Sequence, residues 1–154
     1  MNNNLERILR QSKPIGNSYT KASLGLIVLA KQVESQMQAF FKKYNLTFQQ
    51  FNTLKIIKGQ LPNTCNILTI KERMIDKQSD VSRMLDRMQR NGWIIKEFNL
   101  TDKRYINVII TDKALDLISE IEPLVQKHVE ILNSFSNTEI EQLNLLIDSA
   151  LENC

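Results

Sequence analysis

From Leu24 onward the apolar positions Leu26, Leu29, Ala30, Val33, Met37, Phe40, Phe41 and Tyr44 recur at three- and four-residue steps. This pattern predicts an amphipathic helix of roughly six turns with a nearly continuous buried stripe. Thr47 and Gln50 have the spacing of a capping box, and Leu46 and Phe51 that of a hydrophobic staple, so a second helix is expected up to Lys58, where Gly59 stops it. Residues 61–66 read as a loop and 68–75 as a two-turn helix. Asp76 is expected to cap the next helix, in which Val81, Met84, Leu85 and Met88 form the apolar face. Ser79, Ser82, Arg83, Asp86, Arg87 and Arg90 occupy its other faces, and Asn91-Gly92 ends it. The period then changes: 94–98 and 105–110 are β-branched and aromatic runs on either side of a polar tip at 99–104, which predicts a hairpin. Thr111 is expected to cap a long helix with Leu115, Ile118, Ile121, Val125, Val129 and Leu132 on its apolar side, kinked at Pro123. A second capping box, Ser136 with Glu139, opens a last helix carrying Ile140, Leu143, Leu146, Ile147, Ala150 and Leu151.

Helix, short helix, loop, charged helix and hairpin follow one another in the order of a helix-turn-helix with a β-wing. A helix enters the major groove when one face carries short polar groups and cations while the opposite face anchors it to a core. The segment 78–90 has both faces, and a hairpin tip with adjacent Lys103 and Arg104 can reach the flanking minor groove, whose negative potential attracts arginine. Composition supports this reading. Four glycines and three prolines among 154 residues favour long helices over an all-β fold. The net charge of +3 is uninformative until it is partitioned: it is +7 over 1–70, +3 over 71–104 and −7 over 105–154. The basic residues thus gather in the part that holds the helix-turn-helix and the wing, and the remote end is acidic.

Two cysteines and one histidine exclude the zinc-finger and iron–sulfur frameworks, and no nucleophile–base pair, paired acids or metal set supports an enzyme. No cofactor is expected. No stretch reaches the ~18–20 apolar residues of a membrane span, so a cytoplasmic protein without membrane contact is expected.

The run Ser82-Arg83-Met84-Leu85-Asp86-Arg87-Met88-Gln89-Arg90-Asn91-Gly92-Trp93-Ile94, followed by Asp102-Lys103-Arg104 and then Val108-Ile109-Ile110-Thr111, closely resembles the MarR family of bacterial transcriptional regulators. The resemblance implies a mainly α fold with a small β-wing. It makes 1–154 one domain, with a winged-helix lobe at about 46–111 and dimerisation helices at about 1–45 and 112–154. It implies a homodimeric, ligand-responsive repressor on double-stranded DNA with a pseudo-palindromic operator. By that resemblance Gln78, Ser79 and Ser82 approach bases, and Arg83 and Arg87 hold phosphates or support the wing. Arg104, next to Lys103, enters the minor groove, and Asp102 braces nearby arginines. A small-molecule effector pocket between dimer helices and lobe would draw on Phe40, Tyr44 and Phe51. The chain departs from the family in having Ala114 or Leu115 where a glycine is usual, and an acidic Asp80 at the start of the recognition helix. That acid repels phosphate unless it meets a cytosine amino group or pairs with a neighbour such as Arg83.

A bland reading stands beside each of these. Trp93 is expected to plug the core where helix meets wing, and His128 to lie on the surface or in the dimer region. Cys65 is a sensor only if a cation or helix terminus lowers its pKa, and Cys154 is terminal. The competing function is a winged-helix protein–protein module that does not read DNA, against which the basic wing tip argues.

Overall fold

The structure, a computed structural model, describes residues 4–77, 80–99, 105–128 and 130–152, most of them helical. Helix α1 (Asn4–Ile8) was not expected from the Asn-rich start. A tertiary contact holds it: the Glu6 carboxylate accepts from Lys21 Nζ at 2.8 Å and from the Ile15 amide at 3.4 Å. Helix α2 (Ser18–Lys42) begins a turn and a half before the predicted start, because the Asn17 side chain accepts from the Thr20 amide and caps it. Its predicted stripe is buried only toward the C-terminus, at Met37, Phe40 and Phe41. Leu26, Ile27 and Leu29 are exposed.

Helix α3 (Phe48–Lys58) starts at the predicted box, with both reciprocal hydrogen bonds between Thr47 and Gln50 formed. Leu46 and Phe51, the staple pair, are both buried. Residues 65–66, expected in a loop, instead form strand β1 (Cys65–Asn66). The reason lies far along the chain, in β3 (Ile106–Ile110), against which β1 pairs antiparallel with Cys65 opposite Val108. Asn66 then caps α4 (Ile67–Arg73) through the Thr69 amide.

Helix α5 (Val81–Arg90) is capped by Asp80, not by Asp76: the Asp80 carboxylate accepts from the Arg83 amide at 3.1 Å. Its exit is a Schellman motif. The Trp93 amide donates to the Met88 carbonyl at 3.0 Å and the Gly92 amide to that of Gln89 at 2.9 Å. Gly92 takes the required positive φ of 73°, and Trp93 and Met88 are both buried at the turn. Strand β2 (Ile94–Phe98) pairs antiparallel with β3, Ile94 opposite Ile110 and Phe98 opposite Ile106, giving the sheet order β1-β3-β2.

Thr111 opens α6 (Asp112–His128): its Oγ1 accepts from the Ala114 amide at 3.3 Å. The same hydroxyl donates to the Gly92 carbonyl at 2.8 Å, tying this helix to the exit of α5. Ala114, in the first turn of this helix, is fully buried. The helix runs through Pro123 and ends at His128, and the predicted continuation to Leu132 becomes a 3-10 turn over Glu130–Ser134. Helix α7 (Asn137–Leu151) starts at the Ser136–Glu139 capping box. One core joins α2, α3, α4, α5, the sheet and α6, with Phe41, Leu54, Ile70, Leu85, Met88, Val108, Ile118 and Ile121 at its centre. Among the described residues no helix is long and apolar enough to cross a membrane.

Candidate nucleic-acid interface

Helix α5 divides its side chains as a groove-reading helix must. Val81, Met84, Leu85 and Met88 are buried in the core, which fixes the helix, and Ser82, Arg83, Asp86, Arg87, Gln89 and Arg90 are exposed. Of the residues expected at DNA, Ser82, Arg83 and Arg87 therefore lie together on one solvent-facing surface. Gln78, Ser79, Asp102, Lys103 and Arg104 lie outside the described residues. The two strands on either side are described, with Asn99 N–H donating to the Tyr105 carbonyl at 3.0 Å.

Two ion pairs lie in this surface, of which the sequence offered only the pairing of Asp80 with Arg83. Lys96 Nζ on β2 donates to the Asp86 carboxylate on α5 and links wing to helix. That hydrogen bond, followed by the charge of the same ammonium, holds the Asp86 carboxyl below its ordinary value. Nothing in the sequence marks this pair, because it joins two elements across a turn. The second pair, Asp80 Oδ2 with Arg83 Nε at 3.1 Å, has a readable three-residue spacing and settles the open position of Asp80 in favour of the neighbouring arginine. Lys71 and Arg73 are further exposed cations on α4, the helix that precedes α5 in the chain.

The core aromatics meet in a chain: Phe41 against Phe51 at 4.8 Å between ring centroids, Phe40 against Phe41 at 5.1 Å and against Tyr44 at 5.4 Å. Phe40 and Phe51 are buried among these neighbours. Tyr44 lines an open depression with Trp93, Arg90 and Lys113. Another cavity, of about 720 Å3 and mostly apolar, lies between α2, α3 and α7 and is walled by residues such as Leu29, Val33, Met37, Phe48, Leu143 and Ile147. The three aromatics proposed for a pocket are not among its walls. His128 stacks on Phe40 at 4.3 Å. Cys65 is buried, and that burial pushes its thiol pKa up, opposite to the requirement for a reactive cysteine. Among the described residues no group of three or more His, Cys, Asp or Glu is placed to hold a metal.

Residues 35–121 match the family described as Transcriptional regulator SarA/Rot. The HTH-type transcriptional regulator MgrA of Staphylococcus aureus is 31% identical over 111 residues, which cover 72% of this chain and 74% of that protein. Among solved structures, a putative MarR-like transcription regulator from Bacillus cereus superposes with a TM-score of 0.78 at 18% identity, covering 89% of this chain and 99% of the other. A mutant MarR from E. coli, crystallised with operator DNA, superposes with a TM-score of 0.76 at 19% identity over 90% of this chain and 99% of its own. Both share the fold described here.

Proposed function

The chain belongs to the SarA/Rot family of transcriptional regulators in the MarR-like winged-helix form, and from that premise we propose that two copies of it grip one pseudo-palindromic operator. Each copy lays α5 in a major groove, in half-sites about one helical turn apart. The observation that carries this reading is the two-faced α5, anchored by Val81, Met84, Leu85 and Met88 and offering Ser82, Arg83, Arg87 and Arg90 outward beside the wing. Phosphate contacts from Arg87, Arg90 and the exposed cations of α4 supply affinity, and side chains near the start of α5, with Gln78, Ser79 and Ser82, supply sequence choice. Arg104 reaches the minor groove from the wing tip, with Lys103 beside it and Asp102 bracing it.

The second copy docks through α2 and α7. No residue of α7 is buried, although Leu145, Leu146, Ile147 and Leu151 all lie on it, and Leu26, Ile27 and Leu29 of α2 are exposed as well. Apolar surface on this scale calls for a cover. An effector of small, apolar character is accommodated by the cavity between α2, α3 and α7, where binding would change how α7 sits against the lobe; repression follows from occupying the operator.

The test is DNA binding by the whole chain to its own upstream sequence, measured at several salt concentrations. Binding is expected to fall steeply with salt and to favour a palindromic site. Replacing Arg104 by Ala should weaken it by about 1–3 kcal/mol. If the wild-type chain binds all duplexes alike, or none, the regulator reading is wrong and the protein–protein module replaces it.

A further inference from the structure

We propose that Asp80 determines base choice indirectly, as a positioning residue that aims the Arg83 guanidinium at a guanine edge in the major groove. This rests on α5 being the groove-reading helix. The Asp80 carboxylate is used twice. Its Oδ1 accepts from the Arg83 amide at 3.1 Å and caps α5, while its Oδ2 lies 3.1 Å from Nε of the same residue's side chain. Serine, threonine or asparagine would cap as well as aspartate. An acid at the DNA-facing end of a recognition helix repels phosphate, so its presence needs a reason that capping does not supply. The ion pair supplies one.

Stability is not that reason. The Arg83 side chain is 81% exposed and that of Asp80 58%, and exposed pairs of this kind contribute little. What the pair does is restrict a long side chain with many rotamers. An ion pair at Nε leaves the end-on edge formed by the two terminal Nη groups free to donate, and that is the edge that pairs bidentately with guanine O6 and N7. A side chain already ordered in the free protein loses less entropy when it binds. Asp80 also places a negative charge at the rim of the contact, which disfavours acceptor-rich neighbours and favours a base that offers an amino group next to the guanine.

Arg83 lies in the first turn of α5, the part of a recognition helix that meets base edges. The remaining cations of its exposed face, Arg87 and Arg90, lie in the last turn, where they can hold backbone. The proposal therefore divides labour along the helix between a braced arginine that reads and two later arginines that grip.

The experiment selects bound duplexes from a random pool with the wild-type full-length chain, Asp80→Asn, Asp80→Ala and Arg83→Ala, then titrates the best site and its single-base variants. Wild type is expected to prefer guanine at one position by roughly 5- to 150-fold, and Arg83→Ala to abolish that preference. Asp80→Asn keeps the cap, so its thermal midpoint should equal that of wild type, yet its preference at the same position should drop by roughly two- to tenfold. Asp80→Ala should show the same loss together with a lower midpoint. If Asp80→Asn selects the wild-type sequence with undiminished discrimination, the proposal is overturned while the regulator reading stands. The same holds if Arg83→Ala weakens all duplexes equally and lowers the salt slope by about one, the mark of a phosphate contact. A wild-type chain that selects no sequence overturns both.

Discussion

The Cys65 thiol is 2% exposed, with Sγ 3.6 Å from the Asn66 carbonyl, and burial holds its pKa above the ordinary 9.0. A thiol so placed reacts only when β1 opens. In a Cys154→Ser background, labelling of Cys65 under native conditions should run at least about a hundredfold slower than in denaturant, as followed by the release of a chromophore. Equal rates would show that the strand is open in solution. A second residue-scale expectation concerns Glu122 of α6, whose carboxylate receives Lys55 and Lys58 of α3. The hydrogen bond from Lys55 is the main reason its pKa lies below the ordinary 4.5. A carboxyl depressed in the folded state stabilises above its unfolded value, and that contribution disappears as pH falls through the folded one. With the side chain 40% exposed, Glu122→Gln should lower stability by no more than about 0.5 kcal/mol at neutral pH. Urea midpoints of the two proteins should converge as pH falls below the ordinary carboxyl range, and a difference that persists in acid would place the effect in packing.

At the scale of elements, α5 depends on the glycine at its exit. A Cβ at Gly92 would make only ordinary contact, the nearest atom being Lys113 Nζ at 3.8 Å, but its φ is 73°. Gly92→Ala should therefore cost about 1–2 kcal/mol through backbone strain alone, read as a lower denaturation midpoint. A loss near zero would mean that the Schellman turn rearranges. This stop was legible in the sequence, as were the boxes at Thr47 and Ser136 and the cap at Thr111, because each is a local chemical signal within about four residues. The segments that the sequence misplaced have distant causes. Strand β1 pairs with β3, α1 is held by the contacts of Glu6 with Lys21 and Ile15, and Asp76 and Asp80, four residues apart, compete for the cap of α5 by spacing alone. Among site residues, Ser82, Arg83 and Arg87 could be read from helical periodicity. The Asp86–Lys96 link could not, since pairing across elements leaves no periodic trace.

For the whole molecule, the exposed apolar faces of α2 and α7 are the proposed surface of assembly. Leu146 is 71% exposed on a helix without a buried residue, so Leu146→Glu should leave the protomer folded while shifting it from dimer to monomer in sedimentation at micromolar concentration. Operator affinity should fall by at least about a hundredfold, because one half-site then binds without its tethered twin. A dimer that survives this change would move the interface elsewhere. A different whole-molecule consequence follows from the two residues of β1. Cys65 and Asn66 find Val108 and Asn107 about 40 residues away in sequence, so the sheet closes only after α5 between them has been looped in. The contact is expensive in chain entropy and pays back only when everything it encloses is formed. Helix-turn-helix and wing should then appear in a single kinetic step and share one protection factor in hydrogen exchange. A newly synthesised chain would gain no partial grip on DNA before its wing has emerged.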